Sequence, residues 1–357
     1  MLLEDIEMTN LNALLEQIKN LPPKELQLIA DSIMAKLSHN SFDKAADSSS
    51  VSICRKCGSD KGISKYGKDK KGNQRYRCKF CGALFTDTSF SVISHTRCDV
   101  AQWKKYVECL LHGYSLEKCG DICGISTRTA FLWRHKILSA LQQDQQNRVL
   151  SGIIELDETF FGISYKGNHK KSKHFVMPRE PYKRGTDSNA QTGSRACVMC
   201  ALERNGQMYA EVWGKGQPTV KMFSQAFAAR IMEDSIVLSD KSLGARHYFE
   251  KFDNLQHIAL AAVANPTKKA GPPEIKGAFH IQNINNMHTR LRKFLKAYNG
   301  VSTKYLNHYV NLFVWLDNHK KIMDIDYRAE LSSQIRARDT YISIRDITNL
   351  PPIPCVA

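Results

Sequence analysis

The sequence predicts a multidomain α+β protein, in which short helical and cysteine-rich modules precede a mixed α/β domain. Three observations indicate this class. The length of 357 residues suits two or three domains with a sizeable core. Four cysteines fall into two CxxC pairs between residues 54 and 81. From about residue 150 onwards, strand patterns alternate with helical patterns, which is typical of a sheet covered by helices.

The charge narrows the class of partner. The chain carries 51 Lys and Arg against 35 Asp and Glu, a net charge of +16. That excess favours nucleic acid as the first candidate partner and an anionic membrane as the second, with an ordinary basic enzyme as the alternative. No run of 18 or more apolar residues occurs, and the acidic start lacks a signal-peptide pattern. We therefore expect a cytoplasmic, nucleoid-associated protein whose cysteines stay reduced.

The N-terminal region predicts helices followed by a linker. Apolar positions at helical spacing run from residue 11 to 37 and are interrupted by Pro22-Pro23, which fits two short amphipathic helices within residues 1–38. Packing and self-association are both open roles for them. Residues 39–52 are rich in Ser, Asp and Asn and predict a linker.

The cysteine spacing predicts a zinc ribbon over residues 53–95. Two CxxC pairs separated by 20 residues can close a tetrahedral shell around Zn²⁺, whereas a redox CxxC normally stands alone beside a βαβ unit. Residues 54–81 also carry ten Lys or Arg and only two acids, which suits contact with phosphates. A solvated basic face is the alternative. The predicted zinc ligands are Cys54, Cys57, Cys78 and Cys81.

Residues 96–147 predict a helix-turn-helix module. Helical patterns cover Asp99–His112, Ser115–Ile122 and Ser126–Leu141, with Gly124 at the turn before the third helix. Ser126 is a suitable N-cap for that helix. A plain three-helix bundle is the alternative. If the module reads DNA, its third helix enters the major groove. The candidate DNA-contacting residues on it are Thr127, Arg128, Thr129 and Arg134, with His135 on the same helix.

Two apolar runs, each followed by an acid, predict the catalytic centre within residues 150–320. One run ends at Asp157 and the other at Asp240. The order hairpin, helix, strand, helix, strand, helix indicates a mixed sheet of the RNase H-like type, whose first and fourth strands are adjacent. Two aspartates meeting at that edge suit Mg²⁺ or Mn²⁺, since hard cations prefer oxygen ligands. The alternative is that both are ordinary polar strand ends.

A later helix supplies the remaining candidates. Residues 275–316 contain no acid, but Asn285, His288 and Arg292 are spaced i, i+3 and i+7 and therefore share a helix face. An Asn carbonyl oxygen can bind a metal, and a basic group one or two turns away can hold a phosphate. An ordinary polar surface helix is the alternative.

At the level of motifs, the stretch from about Val51 to Leu316 resembles bacterial and archaeal DDE-type insertion-sequence transposases of the insertion sequence 1595 family. The motifs that carry the resemblance are the zinc knuckles, Glu155-Leu156-Asp157-Glu158-Thr159, Tyr165-Lys166-Gly167 with Lys183-Arg184-Gly185, His280-Ile281-Gln282-Asn283-Ile284-Asn285 and Gly300-Val301-Ser302-Thr303-Lys304-Tyr305-Leu306.

The resemblance implies a DD(N/E/H)K active site, with Arg292 standing where the family usually has Lys and with Lys293 beside it. By position, the active-site residues are Asp157, Asp240, Asn285 and Arg292, the first three as magnesium ligands. We further assign DNA contact to Lys166, Lys183, Arg184, His288 and Lys293.

The expected function is a DNA transposase that cleaves at insertion-sequence ends and joins the 3′-OH to target DNA by metal-dependent in-line phosphoryl transfer. Its expected partners are terminal inverted repeats and target DNA, bound as a homo-oligomer. A non-catalytic DNA-binding regulator derived from a transposase and an RNase H-like nuclease remain alternatives. No constellation supports a recombinase with a covalent protein–DNA link. Residues 321–357 predict a C-terminal helix and tail.

Overall fold

The computed structural model describes residues 22, 53–54, 56–70, 72–146, 148–166, 195–204, 206–252, 254–261, 273–320, 326–337 and 340–354. The predicted N-terminal helices (apart from Pro22) and linker, and the basic residues Lys183 and Arg184, lie outside the described residues. The chain divides into two compact units. One comprises Met1–Asp87 with Asp326–Ser333, and the other comprises Thr88–Ile325 with Gln334–Ala357. The domain boundaries drawn from the sequence stay predictions.

The first unit contains a small antiparallel sheet. Its strands are β1 (Ile63–Lys68), β2 (Gln74–Cys78) and β3 (Leu84–Phe85), in the order β1-β2-β3. The buried cluster consists of Cys54, Cys78 and Phe85, with partly buried apolar neighbours. An apolar cluster of this size stabilises a fold weakly, so a fold of this kind depends on a cross-link or a metal.

The second unit begins with helices α1 (Val100–Leu111), α2 (Leu116–Cys123), α3 (Thr127–Ala140) and α4 (Gln142–Gln146). The three predicted helices are confirmed to within two residues at each end. Each begins at a side-chain N-cap that accepts a hydrogen bond from the backbone N–H three residues later. The caps are Asp99, Ser115 and Ser126.

The turn between α2 and α3 depends on two glycines. Gly124 ends α2 with φ 64°, a left-handed conformation that glycine adopts without strain. Gly120 lies so close to the turn that an added Cβ would be 2.8 Å from the carbonyl oxygen of Ile125. The helices pack through Trp103 and Trp133, whose rings stack with centroids 3.8 Å apart. The predicted helix, glycine and capped-helix order is therefore confirmed.

A five-stranded mixed sheet forms the centre of the second unit. Its strands are β4 (Ile153–Gly162), β5 (Arg195–Glu203), β6 (Met208–Lys215), β7 (Ile236–Asp240) and β8 (Gln256–Leu260). The order is β6-β5-β4-β7-β8; the first three strands are antiparallel, and β4, β7 and β8 run parallel. Strands β4 and β7, which are the first and fourth strands of this sheet along the chain, are thus neighbours, as predicted.

Helices cover both faces of the sheet. On one face, α5 (Val220–Phe227) and α6 (Leu243–Phe249) pack over a core that includes Leu156, Met199 and Val237. On the other face lie α7 (Gln282–Lys296) and α8 (Leu306–His319), the latter preceded by a 3₁₀ turn at Thr303–Tyr305. Helix α8 is tied to β6 by its polar side chains, since Asn318 Oδ1 accepts from Met208 N at 2.8 Å.

The C-terminal region contains helices α9 (Tyr327–Arg336) and α10 (Ile344–Thr348). The second of these follows Thr340, whose hydroxyl accepts a hydrogen bond from the backbone N–H of Val92 at 3.2 Å. Of the helices that the structure describes, none has the length and apolar character needed to cross a membrane.

Candidate active site

Three carboxylates converge at one edge of the five-stranded sheet. The parallel pairing of β4 with β7 aligns Leu156 with Ser239, so the next residues, Asp157 and Asp240, lie level with each other. One carboxylate oxygen from each of these and one from Glu158 all lie within 4.8 Å of one another. The structure therefore brings the two predicted aspartates together and adds Glu158 to them.

Glu158 was missed because a strand normally points neighbouring side chains to opposite faces. Its signal in the sequence was the pair of adjacent acids, Asp157-Glu158, at the end of an apolar run. A glutamate has one more methylene group than an aspartate, which gives it the reach to join a cluster at the edge of the sheet. Both acids lie within β4, just past its pairing with β7, so two adjacent acids that follow an apolar run are better taken together than singly.

The cluster is electrostatically unfavourable by itself. Burial and then the neighbouring charge of Asp240 raise the pKa of Asp157 to about 7, although the Glu158 N–H and Arg292 act in the opposite direction. Burial, Asp240 and Asp157 raise the pKa of Glu158 to about 8. Crowded carboxylates hold protons because like charges in a partly buried place repel. A divalent cation bound by oxygen ligands would remove that repulsion, so these residues fit such an ion.

Helix α7 holds β4 in place through a regular set of contacts. Alternate residues of a strand point to one face, and side chains three or four residues apart share one face of a helix, so the two sets can meet in register. Glu155 accepts from Asn283 Nδ2 at 2.7 Å and from the Ile284 N–H at 3.0 Å. Two turns later on α7, Arg292 Nη2 donates to Thr159 Oγ1 at 2.6 Å. Glu155 is wholly buried, so it anchors the start of the helix.

Between these contacts, α7 presents His288 to Asp157. The His288 Nδ1 lies 3.7 Å from Asp157 Oδ2. Burial and Arg292 lower the pKa of His288 to about 4, so the imidazole is neutral at physiological pH. Asn285, one turn earlier on the same helix, is exposed. Its predicted role as a metal ligand stays a prediction, and His288 is the helix residue that contacts the carboxylate.

Two of the predicted DNA-contacting residues are buried. His288 is only 4% exposed and Arg134 only 2%. Arg134 donates through Nη2 to the backbone oxygen of Tyr114 at 2.6 Å. Charge and helical position predict DNA contact for both residues, and that role stays a prediction. The packing of each helix against its neighbours turns both side chains inward, which no local pattern in the sequence reveals.

The other predicted DNA-contacting residues in the described part of the chain are at the surface. Thr127 and Arg128 are exposed at the first turn of α3, where Thr129 is partly buried and its hydroxyl lies 2.9 Å from that of Ser126. Lys293 is exposed on α7. Lys166 is also exposed, and its Nζ donates to the backbone oxygen of Asn299 at 2.9 Å. Lys183 and Arg184 lie outside the described residues.

The four predicted zinc-ligand cysteines form a second cluster, in the first unit. Their sulfur atoms all lie within 4.8 Å of one another. Burial opposes ionisation of Cys54, but the backbone N–H groups of Cys57 and Lys56, at 3.5 and 3.4 Å from its sulfur, lower its pKa to about 6. Thiolate sulfur at this spacing fits a tetrahedral Zn²⁺ ion. The ligand atoms come from the two CxxC pairs, at Cys54 and Cys57 and at Cys78 and Cys81.

The mixed sheet has the strand order that the sequence predicts, with carboxylates where β4 and β7, its first and fourth strands along the chain, meet. Residues 149–318 match the family model of the ISXO2-like transposase domain of the DDE class. Residues 149–318 are therefore similar to transposase domains of the insertion sequence 1595 family, and the resemblance noted in the motifs is confirmed over that range. No curated protein matches the chain.

Solved structures of Mos1 transposase are among those similar to the chain. The pre-cleavage Mos1 transpososome and the Mos1 strand transfer complex are each 13% identical, covering 70% of this chain and 82% of that chain, with a TM-score of 0.21. The Mos1 paired-end complex with the left transposon end is 10% identical, covering 64% and 79%, with a TM-score of 0.18. Superpositions this loose support no inference about this chain.

Proposed function

We propose that this transposase cleaves DNA at the ends of its insertion sequence and joins the freed 3′-OH to target DNA by metal-dependent in-line phosphoryl transfer. The observation that carries the proposal is the convergence of Asp157, Glu158 and Asp240 at the edge of the sheet. The family match of residues 149–318 supports the same class of reaction.

The carboxylates of Asp157 and Asp240 would hold Mg²⁺ or Mn²⁺, together with Glu158 and, as a further predicted ligand, the amide oxygen of Asn285. When bound, such ions sharpen an oxygen nucleophile and neutralise the leaving oxygen. The raised pKa values of Asp157 and Glu158 indicate a cluster built for a cation, because its negative charges gain a partner only when one binds.

The surrounding residues position this cluster. The neutral imidazole of His288 lies against Asp157 without a charge of its own, so it can fix the carboxylate while leaving it free to bind a cation. Arg292 uses one Nη2–H on Thr159. A guanidinium has five N–H donors, so Arg292 retains donors for a DNA phosphate close to the site.

The remaining modules would deliver DNA to the domain. The four-cysteine module would bind Zn²⁺ as a zinc ribbon and contact phosphates through its basic side chains. The exposed first turn of α3 suits base contact, since the N-terminal residues of a recognition helix read the major groove. Thr127, Arg128 and Thr129 lie there, while Lys166 and Lys293 would contact the backbone. We expect the protein to pair two inverted-repeat ends as a homo-oligomer.

A strand-transfer assay tests the proposal. A labelled duplex with the inverted repeat that flanks the coding region is incubated with target DNA and Mg²⁺. We expect a joined product with the wild type and none with Asp157→Ala or Asp240→Ala. Glu233→Gln is the matched control, because Glu233 is exposed and precedes β7 at the end opposite Asp240. Normal activity in either aspartate variant would refute the site.

The two alternative functions predict different products. An RNase H-like nuclease nicks the labelled end and leaves no joined product. A non-catalytic regulator binds the repeat and leaves it intact, and both aspartate variants then bind it as the wild type does.

A further inference from the structure

A cavity of about 660 Å³ lies between the helix-turn-helix module and the segment that follows α7. This volume falls within the range of about 300–1,000 Å³ that is typical of ligand sites. The catalytic carboxylates do not line it, and nothing in the proposed chemistry uses it. Aromatic side chains make up a third of its lining. They are Tyr114, Phe131, His135, Tyr298, Tyr305 and Tyr309.

The rings contact one another. Phe131 and Tyr305 meet edge to face, with centroids 5.4 Å apart. Tyr298 and Tyr309 also meet edge to face, with centroids 4.6 Å apart. Phe131, Tyr298 and Tyr305 are only partly buried. Partly exposed rings of this kind suit a flat ligand, because an aromatic ring offers its face to another ring at little conformational cost.

A buried donor lies among the rings. Arg134 lines the cavity and is 2% exposed, and its guanidinium carbon is 5.8 Å from the centroid of Tyr298. Its Nη2 donates to the backbone oxygen of Tyr114, while its Nε–H is buried with no hydrogen-bond partner in the structure. The positive charge of this guanidinium beside the cavity favours a ligand that carries acceptor atoms.

The rim of the cavity connects it to the surface expected to bind DNA. Thr127, the first residue of α3, and exposed Lys166 both line it. Lys118 places its Nζ 3.6 Å from the centroid of Tyr114. Glu117 also lies on the rim, where its carboxylate can accept from an amino group. A flat ring with polar edges that is joined to a phosphate matches both the walls and the rim.

We propose that this cavity binds one unpaired base of the DNA held by α3. This proposal rests on the proposed function only in that the helix-turn-helix module binds DNA. It gives the protein a second means of DNA recognition, which is stacking on an extrahelical base. Aromatic stacking of a single base strengthens binding by about 5-fold to 100-fold.

Binding of two DNA probes to the zinc-loaded full chain tests the proposal. One probe is a fully paired duplex, and the other is the same duplex with one unpaired base at its centre. Fluorescence anisotropy gives the Kd of each, and the ratio of the two is the readout. We expect the wild type to prefer the unpaired base by about tenfold.

Two variants remove the site in different ways. Phe131→Leu keeps an apolar side chain but removes a ring face, and Val301→Trp fills the cavity from its lining. Both should abolish the preference while leaving the Kd for the paired duplex unchanged. Tyr341→Leu removes an exposed ring outside the cavity and should keep the preference. If one variant fails to fold, the other decides.

The outcomes separate the two proposals. A preference that survives both variants, or a wild type that binds paired duplex without any preference, overturns the base-binding site and leaves the transposase proposal standing. A wild type that binds neither probe overturns both. Binding of a free deoxynucleoside monophosphate is measured as the last arm of the experiment. If the wild type binds this nucleotide but does not prefer the duplex with the unpaired base, the cavity is a nucleotide site instead.

Discussion

The carboxylate cluster should destabilise the protein when no cation is bound, and removing one charge should reveal this. Asp157→Asn keeps the shape of the side chain and its ability to accept a hydrogen bond from the Glu158 N–H at 2.9 Å. It removes one of the charges that crowd the cluster. We therefore expect this variant, which should be catalytically inactive, to be more stable than the wild type in EDTA at pH 8.

The magnitude follows from the pKa of Asp157. A rise from 3.8 to about 7 corresponds to roughly 4 kcal/mol at about 1.4 kcal/mol per tenfold change. The Asp157 side chain is only 18% exposed, so solvent screening removes only a small part of this energy. Because the folded protein binds the proton more tightly than the unfolded chain, stability falls as pH rises from about 4 to 7 and stays low above that. We expect a gain of about 2–4 kcal/mol at pH 8, and little at pH 4.

Thermal unfolding of both proteins at pH 4 and pH 8, in EDTA and in Mg²⁺, measures the effect. Each kcal/mol of this gain should raise the unfolding midpoint Tm by roughly 2–4 °C for a unit of this size. Mg²⁺ should stabilise the wild type at pH 8 and should stabilise the variant less. A variant that is less stable than the wild type in EDTA at pH 8 would refute the proposed repulsion.

Three further predictions concern other parts of the chain. Burial and then the neighbouring His308 lower the pKa of His135 to about 2, and burial lowers the pKa of His308 to about 4. The stability that depends on these neutral histidines is therefore fully present above pH 6.5 and falls as the pH drops towards 4. In an acid titration followed by tryptophan fluorescence, His308→Asn should lose less stability than the wild type, and an unchanged acid response would contradict this. The wild type should contain one zinc by atomic emission and Cys57→Ser less, while equal zinc in both would argue against the four-cysteine site. Gly120→Ala should cost about 1–3 kcal/mol, because its Cβ would clash with the Ile125 oxygen, and an unchanged denaturation midpoint would count against that contact.

Local signals explain why the helical module was predictable. Each helix begins at a side-chain cap and the second ends at Gly124, and these signals act within a few residues. The sheet order was predictable for another reason. Apolar runs separated by helical patterns restrict the topology to few choices, and the parallel neighbour of β4 follows from them.

Tertiary packing explains what the sequence left hidden. Whether a helical side chain is exposed or buried depends on what packs against the helix, so the burial of Arg134 and His288 could not be predicted from the sequence. The contact between His288 and Asp157 joins residues far apart in the chain, and its register depends on where α7 crosses β4. Strand alternation hides Glu158 in the sequence, but its longer side chain joins the cluster because β4 runs on past the end of its pairing with β7.

Direct titration with Mn²⁺, followed by electron paramagnetic resonance, tests the central claim that Asp157 and Asp240 share a divalent cation. We predict that the wild type and Glu233→Gln bind Mn²⁺ at millimolar concentration or below, and that Asp157→Asn and Asp240→Asn bind it much more weakly. Equal binding by all four proteins, or no binding by the wild type, would contradict the assignment of this sheet edge as the metal site.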